Sequence, residues 1–184
     1  QAISAGYKDF MLVTKDSVVV YSVHKYLDFA TILTEASPLY DVSQRAMVLP
    51  FGAVTVSDMA EYKPYDNQTA SFMATPIYGV EDTVVGAAIV SMPVAQINAI
   101  LADNKGLGET GETLLIGPDG VARSDSIFTE NSDFGVTQFN EPAVSLALQG
   151  QPGTSVATAH RAQELHIEAV PLRFGDQNWA VIAN

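Results

Sequence analysis

Several groups of residues in this sequence have types and spacings that could do chemistry. Gly106-Leu-Gly108-Glu-Thr-Gly111 spells G-x-G-x-x-G. A dinucleotide site needs that string directly after a strand and opening a helix, so that backbone amides and the helix N-terminus face a pyrophosphate. Here the order is reversed. Val94, Ile97, Ile100 and Leu101 recur at helical spacing before the glycines, and an apolar strand-like run follows them at 113–116. The string therefore reads as a loop, with Gly106 at the end of the preceding helix, and no cofactor is implied.

A second set is polar and aromatic: Asp58, Tyr62, Tyr65, Ser71, Met73, Thr75 and Tyr78. Alternation along extended chain puts Asp58 and Tyr62 on one face of a strand over 54–62. It puts Ser71, Met73 and Thr75 on one face of a strand over 70–78. If those faces meet, they form a part-apolar concavity carrying an acid, hydroxyls and a phenol, suited to a small ligand. The alternative is that Met73 and the tyrosines are core and Asp58 caps a turn. As a ligand residue, Asp58 would accept a hydrogen bond or pair with an ammonium.

Other candidates fall to their spacing. Asp119, Asp125, Asn131 and Asp133 lack the twelve-residue pattern of a calcium loop and read as turn and cap residues, with Arg123 pairing among them. His24, His160 and His166 form neither an H-x-x-x-H nor an H-E-x-x-H pair, so a zinc site is not indicated. No Ser sits in G-x-S-x-G, and nothing in the order suggests a Ser/His/Asp set, so an enzyme is not the expected class. Asn67-Gln-Thr69 is a formal glycosylation sequon read here as a turn.

Composition narrows the partners. Nine basic against twenty-one acidic residues give a net charge of −12 over 184 residues. Such a surface repels phosphate backbones and anionic lipid, so nucleic acid is not an expected partner. Hydrophobic content of 47% indicates a packed globular chain. The absence of cysteine removes disulfides, thiolate metal sites and cysteine nucleophiles together. No run of about 18 apolar residues and no signal-peptide pattern is visible, which is compatible with a piece of a longer membrane protein.

The elements that must position these residues repeat. Strands at 9–14 and 18–23 flank a Lys15-Asp16-Ser17 turn. A loop at 25–37 leads into a helix from Pro38 toward Leu49, capped by Ser37, and strands follow at 54–62, 70–78 and 83–92. Pro93 then opens the connecting helix. The second half repeats the order. It has a hairpin at 113–124 around Pro118-Asp-Gly120, a Pro-initiated helix at 141–148 stopped by Gly150, and strands near 154–159, 164–174 and 178–183. The expected fold class is α+β: two tandem PAS-like modules, each a roughly five-stranded antiparallel sheet flanked by helices. The expected division is 1–93, a connecting helix at 94–105, and 106–184.

Specific residues then become recognisable. Gly6-Tyr-Lys-Asp9, Asp58-Met-Ala-Glu-Tyr62, Ala70-Ser-Phe-Met-Ala-Thr-Pro76, Val85-Gly86, Ile97-Asn-Ala-Ile100, the 106–113 loop, Arg123-Ser-Asp-Ser126 and Trp179-Ala-Val occur in the order of the double Cache family. The chain resembles these extracytoplasmic sensor domains of bacterial chemoreceptors and sensor kinases over nearly its whole length. The resemblance implies a membrane-distal module (1–93) that binds a small metabolite such as an amino acid, organic acid or amine. It also implies a membrane-proximal module (106–184) that signals onward through the connecting helix, in a periplasmic domain of an inner-membrane receptor acting as a homodimer. The departures are a missing long N-terminal helix, Ser91 where relatives often carry Gln, and no Arg-x-x-x-Trp pair in the first half. A chemotaxis receptor is the first expectation. The same module on a histidine kinase or cyclase, or a ligand-free dimerisation module, are the alternatives.

Overall fold

The structure, a computed structural model, describes residues 6–92, 94–158, 161 and 164–184. The chain forms two compact units, Gln1–Val94 and Ala95–Asn184.

In the first unit, β1 (Asp9–Thr14) turns through Ser17, at φ 62°, into β2 (Val19–Ser22). The 23–37 segment folds back along β2: the Ala30 amide donates to Val19 O (2.9 Å) and the Leu33 amide to Ser17 O (2.8 Å). Helix α1 (Pro38–Met47) follows, Pro38 supplying its pre-set φ at the first turn. Ser37 stands at the N-cap position, but its side chain makes no capping hydrogen bond. The helix buries Leu39, Val42 and Ala46, one face at helical spacing. Arg45 on the opposite side donates to Asp41 (2.9 Å) and to Val56 O (3.0 Å), holding the helix to the next strand.

The remaining strands are β3 (Thr55–Val56), β4 (Ala60–Tyr62), β5 (Gln68–Ala70), β6 (Phe72–Tyr78) and β7 (Val84–Ser91). The main sheet runs β2-β1-β7-β6-β3, all antiparallel, and β4-β5 form a separate ribbon. The single strand expected over 54–62 is therefore broken. Ser57 accounts for the break: its Oγ accepts the Phe72 amide (2.9 Å), while Ser71 Oγ donates to Ser57 O (2.8 Å) and the Met59 amide to Asp58 Oδ1 (2.8 Å). These local side-chain bonds replace ladder bonds and shift the alternation between Val56 and Ala60. Rows of core residues face α1: Met11 and Val13 of β1, Ala87 and Ile89 of β7, and Phe72 and Ala74 of β6.

Helix α2 (Val94–Leu101) starts on the last residue of the first unit; in the second it is followed by turns through Gly106 (φ 91°) and Gly108 (φ 78°) and then β8 (Thr113–Ile116). Gly106 lies five residues beyond the helix, in the loop rather than at the helix end. The position of Pro93 is outside the described residues. The turn at 117–120 closes as expected, with Gly120 at φ 79°. The chain after it makes isolated bridges, Ile116 with Ala122 and Val121 with Gln138, in place of a full strand. The Ala122 amide donates to Thr137 O (2.9 Å), so this segment pairs with the following loop as much as with β8. Helix α3 (Pro142–Leu148) and strands β9 (Gly153–Thr158), β10 (Glu164–Phe174) and β11 (Gln177–Ala183) complete the unit. The sheet order β8-β11-β10-β9 has four strands where five were expected. It otherwise repeats the first sheet: opening strand beside closing strand, helix on one face. Leu114, Ile116, Ala143, Val144, Ile167 and Ile182 form its core.

Acids in this unit are held by donors. Asp125 Oδ1 accepts from Ser132 and from the Asp133 and Phe134 amides. Asp133 accepts from Ser126 N, Thr129 and Thr137. Glu112, fully buried, accepts from Ser126 Oγ (2.6 Å) and the Ile127 amide (3.0 Å), with Arg161 Nε 3.6 Å from its other oxygen. Arg161 also donates to Thr110 O and Asn184 Oδ1 and lies 4.4 Å from the Phe128 ring centroid. Burial pushes the Asp119 carboxyl up, but its hydrogen bond from Arg123 (2.9 Å) outweighs this and holds it below the ordinary value.

Candidate functional site

In the first unit, the end of the β4 strand meets the folded-back 23–37 segment across a cavity of about 350 Å³. Its walls are Leu27, Ile32, Leu33, Pro38 and Pro64 on the apolar side, with Asp28, Thr31, Thr34, Ser37, Glu61, Tyr62 and Lys63 supplying polar groups. That size and mixture fit a small-molecule site.

Its floor is an acid–phenol pair. Tyr62 is 3% exposed and Asp28 5% exposed, and the Tyr62 hydroxyl donates to Asp28 Oδ2 at 2.7 Å. Burial first, then the hydrogen bond and negative charge of Asp28, push the Tyr62 phenol far above its ordinary value, so it stays a donor. Asp28 Oδ1 is buried with no hydrogen-bond partner among the described residues. Beneath the pair lies an aromatic cluster. The Tyr65 ring is 5.0 Å from Tyr62 and 4.7 Å from Tyr26, and Phe72 is 4.9 Å from Tyr62, all edge-on. Burial chiefly, with Asp9 and Asp28 nearby, also raises the Tyr65 phenol. Its hydroxyl and Ser91 Oγ are both buried without a hydrogen bond of ordinary geometry. Lys8 Nζ sits 4.2 Å from the Tyr65 ring centroid.

Of the seven residues singled out from sequence, only Tyr62 lines this cavity. Tyr65 supports it from below. Ser71 is fully buried in its bond to Ser57, and Asp58 lies in the break after β3. Met73 and Thr75 do share a face, but it is the face of β6 opposite Phe72 and Ala74. There they line a shallow apolar hollow of about 160 Å³ with Phe10, Val54, Ala88 and Val90. Tyr78 ends β6 by donating to Leu49 O (2.9 Å), its ring edge-on to Phe51. The two expected faces therefore do not meet, because the break at 57–59 and the separate β4-β5 ribbon carry Tyr62 to the core side. The sequence reading missed Asp28. Its signal was an acid set between Leu27 and Phe29 in a segment read only as a loop.

The second unit has a more open groove of about 620 Å³, lined by Leu107, Thr154, Ser155, Val156, His166, Ile167, Glu168, Ala183 and Asn184. Its ionisable residues, His166 and Glu168, are exposed. His160 lies outside the described residues. Among the described residues no group of three His, Cys, Asp or Glu side chains is placed to hold a metal ion, and no helix is long and apolar enough to cross a membrane.

Solved structures similar to this chain include extracellular domains of sensor proteins. The extracellular domain of mmHK1S-Z2, named as a histidine kinase, superposes with a TM-score of 0.69 at 13% identity, covering 98% of this chain and 76% of that one. The ligand-binding domain of the Pseudomonas aeruginosa amino acid chemoreceptor PctC, solved with GABA, gives 0.64 at 14% identity over 98% of this chain and 74% of that one. This is a double Cache fold. By sequence, a probable chemoreceptor of Sinorhizobium fredii is 24% identical over 99% of the chain. The chain spans 23% of the length of that curated relative. No protein-family model matches. In the double Cache frame the acid–phenol cavity belongs to the first of the two units.

Proposed function

We propose that this chain is the ligand-sensing ectodomain of a bacterial transmembrane chemoreceptor. It lies outside the cytoplasmic membrane, and residues 1–93 bind a small metabolite. The observation that carries the reading is the 350 Å³ cavity floored by Asp28 and Tyr62. It combines an apolar wall with convergent polar groups in the first unit of a fold shared with chemoreceptor ligand-binding domains. Residues 106–184 act as the membrane-proximal module that relays the ligand-bound state, and the full receptor works as a homodimer. The double Cache extracellular domain of a histidine kinase gives a second reading the same support: an identical sensor with a kinase output.

Calorimetry and thermal shift against amines, amino acids and organic acids test the binding claim. A ligand at a hundredfold excess over Kd stabilises the native state by about 2.7 kcal/mol. Ala36→Trp, at the exposed rim, is expected to abolish that shift while leaving the unliganded melting temperature within a degree or two. A shift that survives Ala36→Trp places the ligand elsewhere. Grafting the chain onto the signalling half of a known chemoreceptor, and finding no ligand-dependent swimming bias, would count against the output.

A further inference from the structure

We propose that the outer edge of β9 (Gly153–Thr158) pairs antiparallel with the same edge of a second copy of this chain, joining the two second-unit sheets into one across a two-fold axis at Val156. In the receptor reading this gives the homodimer a contact surface of its own, and it involves neither the first-unit cavity nor a ligand.

An edge strand presents a row of amides and carbonyls that templates another strand, and folded proteins close or blunt such edges. Three of the four edges of the two larger sheets are closed here. The 23–37 segment lines β2, with the Ala30 amide on Val19 O (2.9 Å) and the Val19 amide on Thr31 O (3.1 Å). β3 is two residues long, and its Val56 carbonyl accepts from Arg45 (3.0 Å). The 121–124 segment covers β8: the Arg123 amide donates to Leu115 O (2.6 Å) and the Leu115 amide to Ser124 Oγ (2.9 Å). β9 pairs with β10 on one side, and on its other side no described residue makes a backbone hydrogen bond to it. Its sequence, Gly-Thr-Ser-Val-Ala-Thr, holds no charge and no proline. Its register with β10 runs unbroken from Gly153 to Thr158, so it carries none of the devices that blunt an edge.

An open edge accepts extended chain, and the side chains select which. Thr154, Val156 and Thr158 alternate on the exposed face of the sheet, Val156 being 52% exposed. The three are symmetric about Val156. A two-fold axis there, perpendicular to the sheet, sets Val156 against Val156 of the second copy and Thr154 against its Thr158. On the other face Ser155 meets Ala157. Directly opposed β-branched and hydroxyl side chains are pairs that stabilise an antiparallel ladder. Charge does not oppose the pairing locally. The acids nearest the edge, Glu164 and Glu168 of β10, stand in register with Thr158 and Thr154. In the joined sheet the two β10 strands are three strand spacings apart, about 14 Å, beyond the screening length of about 8 Å at physiological salt. β9 carries no charge with which to select a foreign strand, whereas its own sequence supplies the match.

The 184-residue chain tests this without ligand. A six-residue edge buries less than a standard interface, so sedimentation is expected to show a monomer–dimer equilibrium with a Kd of roughly 10 µM to 1 mM. Each copy carries a net charge of −12, so added salt should tighten the equilibrium severalfold. Val156→Lys sets two ammonium groups face to face on the axis and is expected to weaken association at least tenfold. Fluorescence of the buried Trp179 checks that the second unit stays folded. The chain has no cysteine, so introduced single cysteines report the register. Directly opposed β-carbons lie about 5 Å apart, within disulfide reach. Val156→Cys is expected to cross-link with itself under mild oxidation. Thr154→Cys should cross-link with Thr158→Cys but not with itself, since its own copy lies about 13 Å along the ladder. A chain that stays monomeric across that concentration range overturns the proposal. So does association unmoved in folded Val156→Lys, or Thr154→Cys cross-linking with itself as fast as Val156→Cys. If Val156→Lys unfolds the unit, the cysteine series decides alone. None of these outcomes bears on the sensing reading, which ligand binding in the first-unit cavity tests separately.

Discussion

Tyr62→Phe removes one hydroxyl and leaves the ring packing among Tyr65, Phe72 and the cavity wall intact. The lost bond is short (2.7 Å), buried at both ends, and made to a carboxylate. Hydrogen bonds to charged groups contribute roughly 1.5–3 kcal/mol, and the asymmetry of leaving one partner unpaired pushes toward the upper end. Here Oδ1 already lacks a donor, so phenylalanine leaves the whole carboxylate bare. The expected loss is about 2.5 kcal/mol. For a unit of this size each kcal/mol moves the melting temperature by roughly 4–8 °C, so the first unit should melt some 10–20 °C lower, taking it to unfold on its own. Asp28→Asn keeps an acceptor and removes the charge, so alone it should change stability by under ~1 kcal/mol, and it should recover about half the loss in the double variant. The assay is built into the sequence. All seven tyrosines fall between Tyr7 and Tyr78, and the single tryptophan, Trp179, lies in the second unit. Near-ultraviolet dichroism of tyrosine therefore follows the first unit and tryptophan fluorescence the second. A loss below about 0.5 kcal/mol in the tyrosine transition would refute the reasoning. It would mean that water already solvates the carboxylate in the folded unit.

Other outcomes follow from the same geometry. Tyr62 and Tyr65 are both raised above the ordinary phenol value of 10.0 by burial. Their folded forms hold the proton after the unfolded chain has lost it, so their contribution is complete below pH 10 and falls as pH rises above it. The slope is up to ~1.4 kcal/mol per pH unit for each group. Urea titrations at pH 9, 10 and 11 should show Tyr62→Phe falling less steeply than wild type; parallel lines would contradict the burial argument. Gly86→Ala should cost ~3 kcal/mol or more, because a β-carbon there would press into the Val13 carbonyl and come within 3.2 Å of Thr14 Cα, so β1 and β7 must part. A melting temperature within 2 °C of wild type would show that the ladder yields. Gly117→Ala would put a β-carbon 2.6 Å from Arg123 Nη2 and push the guanidinium off Asp119. The Asp119 carboxyl should then titrate at higher pH by NMR, and an unmoved titration would mean that Arg123 shifts without letting go.

The architecture was legible in the sequence because it is written in backbone chemistry. Pro38 and Pro142 open helices, Gly120 and Gly150 take positive φ where chain reverses, and alternation in 9–14 and 84–91 marks buried strands. The site was less legible. Alternation carries phase only while a strand is unbroken, and Ser57, by bonding to Phe72, resets it between Val56 and Ala60. Asp58 and Tyr62, four apart and nominally on one face, consequently serve different surroundings. Asp28 carried no periodic signal at all. Its position depends on the 23–37 segment pairing with β2 through Ala30 and Leu33, a tertiary choice that local propensity does not encode.

Duplication of the module turns this into an argument about where a ligand belongs. The two units share strand order and helix placement, and both carry buried acids close to the segment between the opening hairpin and the helix. In the second unit the buried acids Asp133 and Glu112 are supplied from within: Asp133 by an amide and two hydroxyls, Glu112 by Ser126, Ile127 and Arg161. In the first, Asp9 is likewise supplied by Ser22 and three amides, but Asp28 keeps one oxygen without a donor at the floor of a cavity. Glu141 Oε2 in the second unit is likewise buried without a partner, but of the two only Asp28 lines the 350 Å³ cavity. Filling the cavity from its rim gives the corresponding test. Thr34→Trp, at the exposed rim, is expected to block ligand binding while leaving the melting temperature of the unliganded first unit within a degree or two. Unchanged affinity for whichever metabolite binds the wild-type chain would mean that the ligand sits elsewhere than this cavity.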